Sequence, residues 1–273
     1  MTGDNSSVHT HSSCFNQTEV LFGKIPSLPT GLFQVPVLNK RLFQYIHKNN
    51  LSTEDMMRIP PAETGELAVW LYAGETQLFR DITFWKYLLD HPSIAFPEKT
   101  GSRILFFDCP TGEEYYSWEI LRRSFFGSCQ IKTRITTQLS YCAALIERRQ
   151  LVFRKIAGLT GTLQHLTRDV QIMKYLENKY NQWHLTEAAG QNPEVQVCDC
   201  ITPFPSHSFS VIFCRNRLIY YKENVCRIIL CNLFRAIEPG GYLLAGTHDS
   251  PEMIKEAGFK TVEKDSGIYK KPL

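Results

Sequence analysis

FSVIFCRNRLIYY, residues 209–221, decides how the rest of this 273-residue chain reads. Val211, Ile212 and Phe213 form a short apolar run of the kind that fills a buried strand. The run stops abruptly at the polar pair Arg215 and Asn216, ahead of a turn carrying Tyr220 and Tyr221. TGEEYYS, residues 111–117, has a complementary arrangement: it lies between the apolar run 104–107 and a helical pattern, so Gly112, Glu113 and Glu114 fall on a strand-to-helix turn. Ligands of open parallel sheets bind outside the carboxyl ends of the strands, and both stretches lie at such ends.

Outward from these two stretches the pattern alternates. Strands are expected at 103–107, 130–136, 194–198, 209–214 and 242–245, and helices at 114–126, 140–150, 223–236 and 251–257. A hairpin of 259–263 with 268–271 closes the chain. This repetition predicts an α/β domain with a mainly parallel, doubly wound sheet. The helix at 223–236 places Val225, Ile228, Ile229 and Ile237 on one face, and Pro239, Gly240 and Gly241 stop it. Residues 151–194 interrupt the alternation as an insertion. Within it Met173 to Tyr180 reads as helical, with Trp183 and Leu185 as strand candidates.

Upstream, residues 67–90 read as one aromatic-rich helical segment at the start of the main domain, 66–273. Residues 17–65 form a small N-terminal helical domain punctuated by Pro26, Pro29, Pro36, Pro60 and Pro61, and carrying Lys40, Arg41 and Lys48. Residues 1–16 are polar and read as a disordered tail, despite His9 and His11.

Composition narrows the function. A net charge of +3 from thirty basic and twenty-seven acidic residues gives no electrostatic case for nucleic acid. No apolar run approaches the roughly 20 residues of a membrane span, and the first residues lack a signal-peptide pattern, so a cytoplasmic protein is expected. The nine cysteines show no CxxC spacing, and Cys198 with Cys200 lacks further ligands, so no metal is expected.

At TQLFRD (residues 76–81), TGEEYYS, IFCRNRLIYY and RAIEPGGYLLAG (residues 235–246) the chain resembles the CheR-type chemotaxis-receptor methyltransferases. The resemblance runs from about residue 67 to the C-terminus. It implies a Rossmann-like class I S-adenosylmethionine-dependent methyltransferase sheet with a small N-terminal helical domain, and transfer of a methyl group to glutamate carboxylates of a chemoreceptor or related signalling protein by a monomer. It further implies that Glu113, with backbone groups around Gly112, contacts the cofactor's amino-acid end, and that Thr76 is among the cofactor-binding residues. Asp199, followed by Cys200, faces the adenine, and Arg215 and Asn216 line the methionine side. Tyr220 stands beside the reacting methyl. Arg80, whose planar guanidinium suits a carboxylate, is the candidate for holding the carboxylate of the cofactor or of the substrate.

Several positions depart from the family's pattern. Phe107 and Asp108 stand where Ala-Gly is usual, Gly74 replaces an asparagine, and Thr247, His248 and Asp249 replace His-Ser-Glu. Gln138 occupies the end of the second strand, where an acid normally grips the ribose hydroxyls; a neutral amide holds them less firmly. These departures leave a second reading open, a catalytically weakened binding or regulatory module.

Overall fold

The computed structural model describes residues 21–25, 28–60, 63–74, 76–97, 101–127, 131–152, 172–190 and 193–273. The tail 1–16 lies outside them. The chain divides into two compact units, 1–74 and 75–273.

The first unit contains α1 (Val35–Lys48), α2 (Thr53–Arg58) and α3 (Gly65–Ala73). A capping box starts α2: the Ser52 side chain accepts from the Asp55 N–H while the Asp55 carboxylate accepts from the Ser52 N–H. Leu38 and Leu42 of α1, Met56 of α2 and Leu67, Leu71 and Tyr72 of α3 are buried. Arg41 is not the surface cation its sequence neighbourhood suggests. Its Nη1 donates to the carbonyls of Leu71 (2.5 Å) and Tyr72 (2.9 Å), satisfying groups that a helix end leaves open. Lys48 lies 4.3 Å from the centre of the Trp70 ring.

The expected helix over 67–90 is two helices. Gly74, at φ 64° and ψ −145°, ends α3, and α4 (Ile82–Asp90) begins only after Phe79 and Asp81 have both taken positive φ. TQLFR is therefore irregular between them, with a turn at Leu78 and Phe79. A short helix, α5 (Pro92–Ala95), follows α4.

The second unit is built on a seven-stranded sheet of order β5-β2-β1-β6-β7-β9-β8. Its strands are β1 (Arg103–Phe106), β2 (Lys132–Thr137), β5 (Glu194–Val197), β6 (Phe209–Cys214), β7 (Ile237–Ala245), β8 (Lys260–Thr261) and β9 (Ile268–Lys270). β5, β2, β1, β6 and β7 pair in parallel, while β9 runs antiparallel to both β7 and β8. The helices α6 (Glu113–Phe125), α7 (Ser140–Glu147), α8 (Glu223–Ala236) and α9 (Pro251–Glu256) connect them. The chain steps from β1 to β2 and β5 on one side and from β6 to β7 on the other. The topological switch point thus falls between β1 and β6.

The core beneath that point is aromatic. Phe106 of β1 stacks on Phe213 of β6 with ring centres 4.6 Å apart, and Trp85 of α4 stacks on the same Phe213 at 6.3 Å. In α8 the buried stripe is Val225, Cys226, Ile229, Leu230, Leu233 and Ala236; Ile228, expected on that face, is 45% exposed. Ile237 already belongs to β7, so Pro239-Gly240-Gly241 is strand rather than helix stop. The pairing slips there, from Phe209 opposite Ile237 to Val211 opposite Tyr242. A Cβ on Gly241 would lie 2.7 Å from the Ser210 carbonyl oxygen, so only glycine passes the bulge.

The insertion also differs from its sequence reading. Met173 lies in a 3-10 turn, and residues 176–185 form an antiparallel hairpin of β3 (Leu176–Lys179) and β4 (Gln182–Leu185). Tyr180 and Asn181 supply the turn with φ of 54° and 61°, the two left-handed residues of a type I′ turn.

Candidate active site

The loop after β1 enters α6 through Gly112, which sits at φ 85°. A Cβ there would meet the Tyr116 ring at 2.8 Å, so the turn requires glycine on both counts. Glu113 and Glu114 follow in the first turn, where the helix dipole favours carboxylates. Glu113 is 2% exposed. Its carboxylate accepts from the Thr111 hydroxyl, from the Thr76 side chain, from its own N–H and, at 3.5 Å, from the Val152 N–H. All these donors are neutral. Burial pushes the Glu113 carboxyl above its ordinary range, and the hydrogen bonds from Thr111 and the others only partly oppose the shift.

Glu114 points the other way. Burial raises its carboxyl too, opposed by the charges of Arg215 and Arg80. Arg215 donates from Nη1 to Glu114 (3.0 Å) and from Nη2 to Asp81 (2.9 Å), and its guanidinium carbon stands 3.7 Å from the centre of the Phe84 ring. With its side chain 3% exposed, this arginine is enclosed. Asn216 takes φ 53° and donates from Nδ2 to Asp81 (3.0 Å). Asp249 accounts for the altered stretch 247–249: its carboxylate gathers the backbone N–H groups of Asn216 (2.7 Å), Gly246 (2.8 Å) and Ile219 (3.3 Å), holding the ends of β6 and β7 together. The Asp81 carboxylate is engaged by Arg215 and Asn216.

The departures at 108 and 138 belong to one buried network. Asp108, at φ 48° and 1% exposed, accepts from Arg217 Nε (2.7 Å) and from the Tyr221 hydroxyl. Gln138 donates from Nε2 to the Tyr221 oxygen (2.6 Å) and to Asp108 Oδ1 (3.3 Å). The network joins the ends of β1, β2 and β6. Cys200, 3% exposed, shares a hydrogen bond with the Tyr221 hydroxyl, and burial pushes its thiol up. Asp199 is exposed and closes an Asx turn by accepting the Ile201 N–H at 3.1 Å. Tyr220 ends a 3-10 turn (Leu218–Tyr220), with the Arg217 guanidinium 5.5 Å from its ring centre.

The structure thus brings Thr76, Gly112 and Glu113 together, and sets Arg80 beside Arg215 and Glu114. Gln138 and Cys200 meet at Tyr221. Asp199 stands apart from these clusters. Sequence reasoning missed Asp81, Arg217 and the anchoring role of Asp249. The signal for Arg217 was present, since a second arginine two residues after Arg215 in an apolar setting requires its own carboxylate. The cysteines 109, 142, 198, 200, 214, 226 and 231 are free thiols, and among the described residues no cluster has the composition of a metal site.

A sheet of this order, with a glycine turn and acidic helix start after β1, is that of the class I S-adenosylmethionine-dependent methyltransferases. The family "CheR methyltransferase, SAM binding domain" matches residues 74–268, and the chain belongs to it. The chain is 23% identical to chemotaxis protein methyltransferase Cher2 of Pseudomonas putida, over 93% of this chain and 96% of that one. It is 29% identical to chemotaxis protein methyltransferase 1 of Pseudomonas aeruginosa over 36% of each chain. Among solved structures, the N-methyltransferase NodS from Bradyrhizobium japonicum in complex with S-adenosyl-L-homocysteine is 10% identical, with a TM-score of 0.43 over 77% of this chain and 100% of that one.

The cofactor is S-adenosylmethionine, and the residues present fit it. Among the described residues the buried Glu113 carboxylate meets only neutral donors, and the cofactor's α-amino group would give it a cation. No helix among the described residues is long and apolar enough to cross a membrane.

Proposed function

We propose that this chain is a cytoplasmic protein-glutamate O-methyltransferase that acts, as a monomer, on a chemoreceptor or related signalling protein. The observation that carries the reading is the meeting of TQLFRD, TGEEYYS and CRNRLIYY at one switch point, around a buried Glu113 whose hydrogen-bond donors among the described residues are all neutral. Names of relatives described as chemotaxis protein methyltransferases support the substrate class.

Bound S-adenosylmethionine supplies an electrophilic methyl group. A glutamate acceptor, with a pKa of about 4.3, is already ionised near neutrality, so no general base is needed and the protein's work is alignment and exclusion of water. Glu113 holds the ammonium end, aided by Thr76 and the turn at Gly112. Arg80 holds a carboxylate. Asp199, Cys200 and Gln138 lie toward the adenosine side, and Tyr220 orients the acceptor.

Transfer of a tritiated methyl group from S-adenosylmethionine to a receptor cytoplasmic domain, recovered as methanol after base treatment, tests the reaction. Tyr220→Phe is expected to lower turnover while leaving S-adenosylhomocysteine affinity unchanged; full turnover in that variant removes Tyr220 from the mechanism. The closed network of Asp108, Arg217, Tyr221 and Gln138 favours the second reading, a binding module. Absence of S-adenosylhomocysteine binding at millimolar ligand would select it.

A further inference from the structure

Arg80 is flanked by Phe79 and Asp81, both in the left-handed region at φ 55° and 58°. Such residues are disfavoured by roughly 1–2 kcal/mol each, so a segment holding two of them needs anchors elsewhere. The Phe79 N–H donates to Ser117 Oγ of α6 at 2.8 Å. The Arg80 carbonyl accepts from Trp85 Nε1 at 2.9 Å and faces both terminal nitrogens of Arg215 at 3.4 and 3.5 Å. The Asp81 carboxylate takes Arg215 Nη2 and Asn216 Nδ2.

Arg215 is itself immobilised between Glu114 and Asp81 and over the Phe84 ring. Its terminal nitrogens are spent on two carboxylates and a carbonyl, while its Nε is buried without a hydrogen-bond partner among the described residues. We propose that Arg215, with Asp81 and Asn216, is a positioning residue: it fixes the backbone from which Arg80 reaches the carboxylate at the cofactor's amino-acid end. The inference rests on the reading of Arg80 as a carboxylate holder.

Two probes separate this role from a merely structural one. S-adenosylhomocysteine carries the amino-acid end, whereas 5′-methylthioadenosine keeps the adenosine and lacks both carboxylate and amine. Asp81→Gly removes the anchoring carboxylate while leaving the left-handed conformation open to the new residue, and Arg215 keeps Glu114 as its partner. Calorimetric titration of the full chain is expected to show S-adenosylhomocysteine weakened by about tenfold or more, the value of a charge-assisted hydrogen bond, with methylthioadenosine affinity unchanged. In an Arg80→Gln background the Asp81→Gly substitution should add no further loss, because nothing remains to be positioned. Arg215→Lys, which keeps the charge but not the fork, should reproduce the selective loss. Equal weakening of both probes, or additive losses with Arg80→Gln, would overturn the proposal while leaving the methyltransferase reading intact. A wild-type chain that binds neither probe would overturn that reading and the proposal with it.

Discussion

Glu113 is where a single side chain links folding to ligand. Burial keeps its carboxyl above the usual range, so the free protein takes up a proton there at a pH where an exposed glutamate would be ionised. A raised folded pKa means that this group favours the folded state most below its unfolded pKa, and that this contribution is lost as pH rises through the folded value. Binding of an ammonium reverses the preference, because it requires the ionised form. S-adenosylhomocysteine affinity is therefore expected to fall as pH drops through the raised pKa, with one proton released on binding in that window. Titrations in two buffers of different ionisation enthalpy measure the proton. Glu113→Gln should cost about 2 kcal/mol, roughly thirtyfold in affinity, and abolish the pH dependence; an unaltered affinity would make Glu113 purely structural. Gln138 gives the opposite kind of prediction. Its amide donates to Asp108 and Tyr221, so Gln138→Glu sets two carboxylates against each other and should lower stability by about 1–3 kcal/mol. The loss in urea denaturation should be larger at pH 8 than at pH 5, where a protonated glutamate can still donate. The motif residues themselves were legible in the sequence because each sits in a short contiguous string. Their partners were not: Asp81 and Arg215 are 134 residues apart, and nothing local announces that pairing.

The elements that sequence identified are those whose periodicity is self-sufficient. β1, β6 and α6 carry their apolar runs and turn residues within a dozen positions, and they lie close to where the pattern places them. The hairpin β3–β4 escaped because its type I′ turn is made by Tyr180-Asn181 rather than the Asn-Gly pair that usually marks one, and because its strands are short and polar. That compromise is testable. Tyr180→Asn combined with Asn181→Gly should relieve left-handed strain at two positions and stabilise the hairpin by about 1 kcal/mol. Hydrogen exchange at the Glu177–His184 and Lys179–Gln182 pairs would report it as slower opening. Exchange as fast as in wild type would show that the turn does not limit the hairpin. The start of β7 was missed for a different reason. Proline followed by two glycines ends helices by local rule, but here tertiary pairing with β6 overrides it through a bulge.

At the scale of the whole molecule, the site inherits its precision from the aromatic stack beneath the switch point. Phe213 touches Phe106, Phe84 and Trp85, tying two parallel strands to the helix that follows Arg80. Phe213→Ala should cost about 3–5 kcal/mol, read as a lower midpoint in chemical denaturation. Weaker S-adenosylhomocysteine binding below that midpoint should accompany it, since the α4 end of the Arg80 segment loses its support. A variant with native affinity despite lowered stability would separate the core from the site. The overall architecture was legible because β–α alternation leaves few topologies open. The enclosure of Arg215 and the closure of the Asp108 network are properties of packing density, which no linear pattern encodes.

The pairing of Asp108 with Arg217 also constrains the history of this chain. Removing either takes a buried ion-pair partner from the other, at a cost of about 3–5 kcal/mol against a total margin of about 5–15 kcal/mol. Neither substitution is easily tolerated before the other, so the two should have been acquired together or through a polar neutral intermediate at one position. Relatives drawn from this lineage are then expected to carry both or neither, and a natural chain with an acid at the first position and an aliphatic residue at the second should fold only with a compensating base nearby.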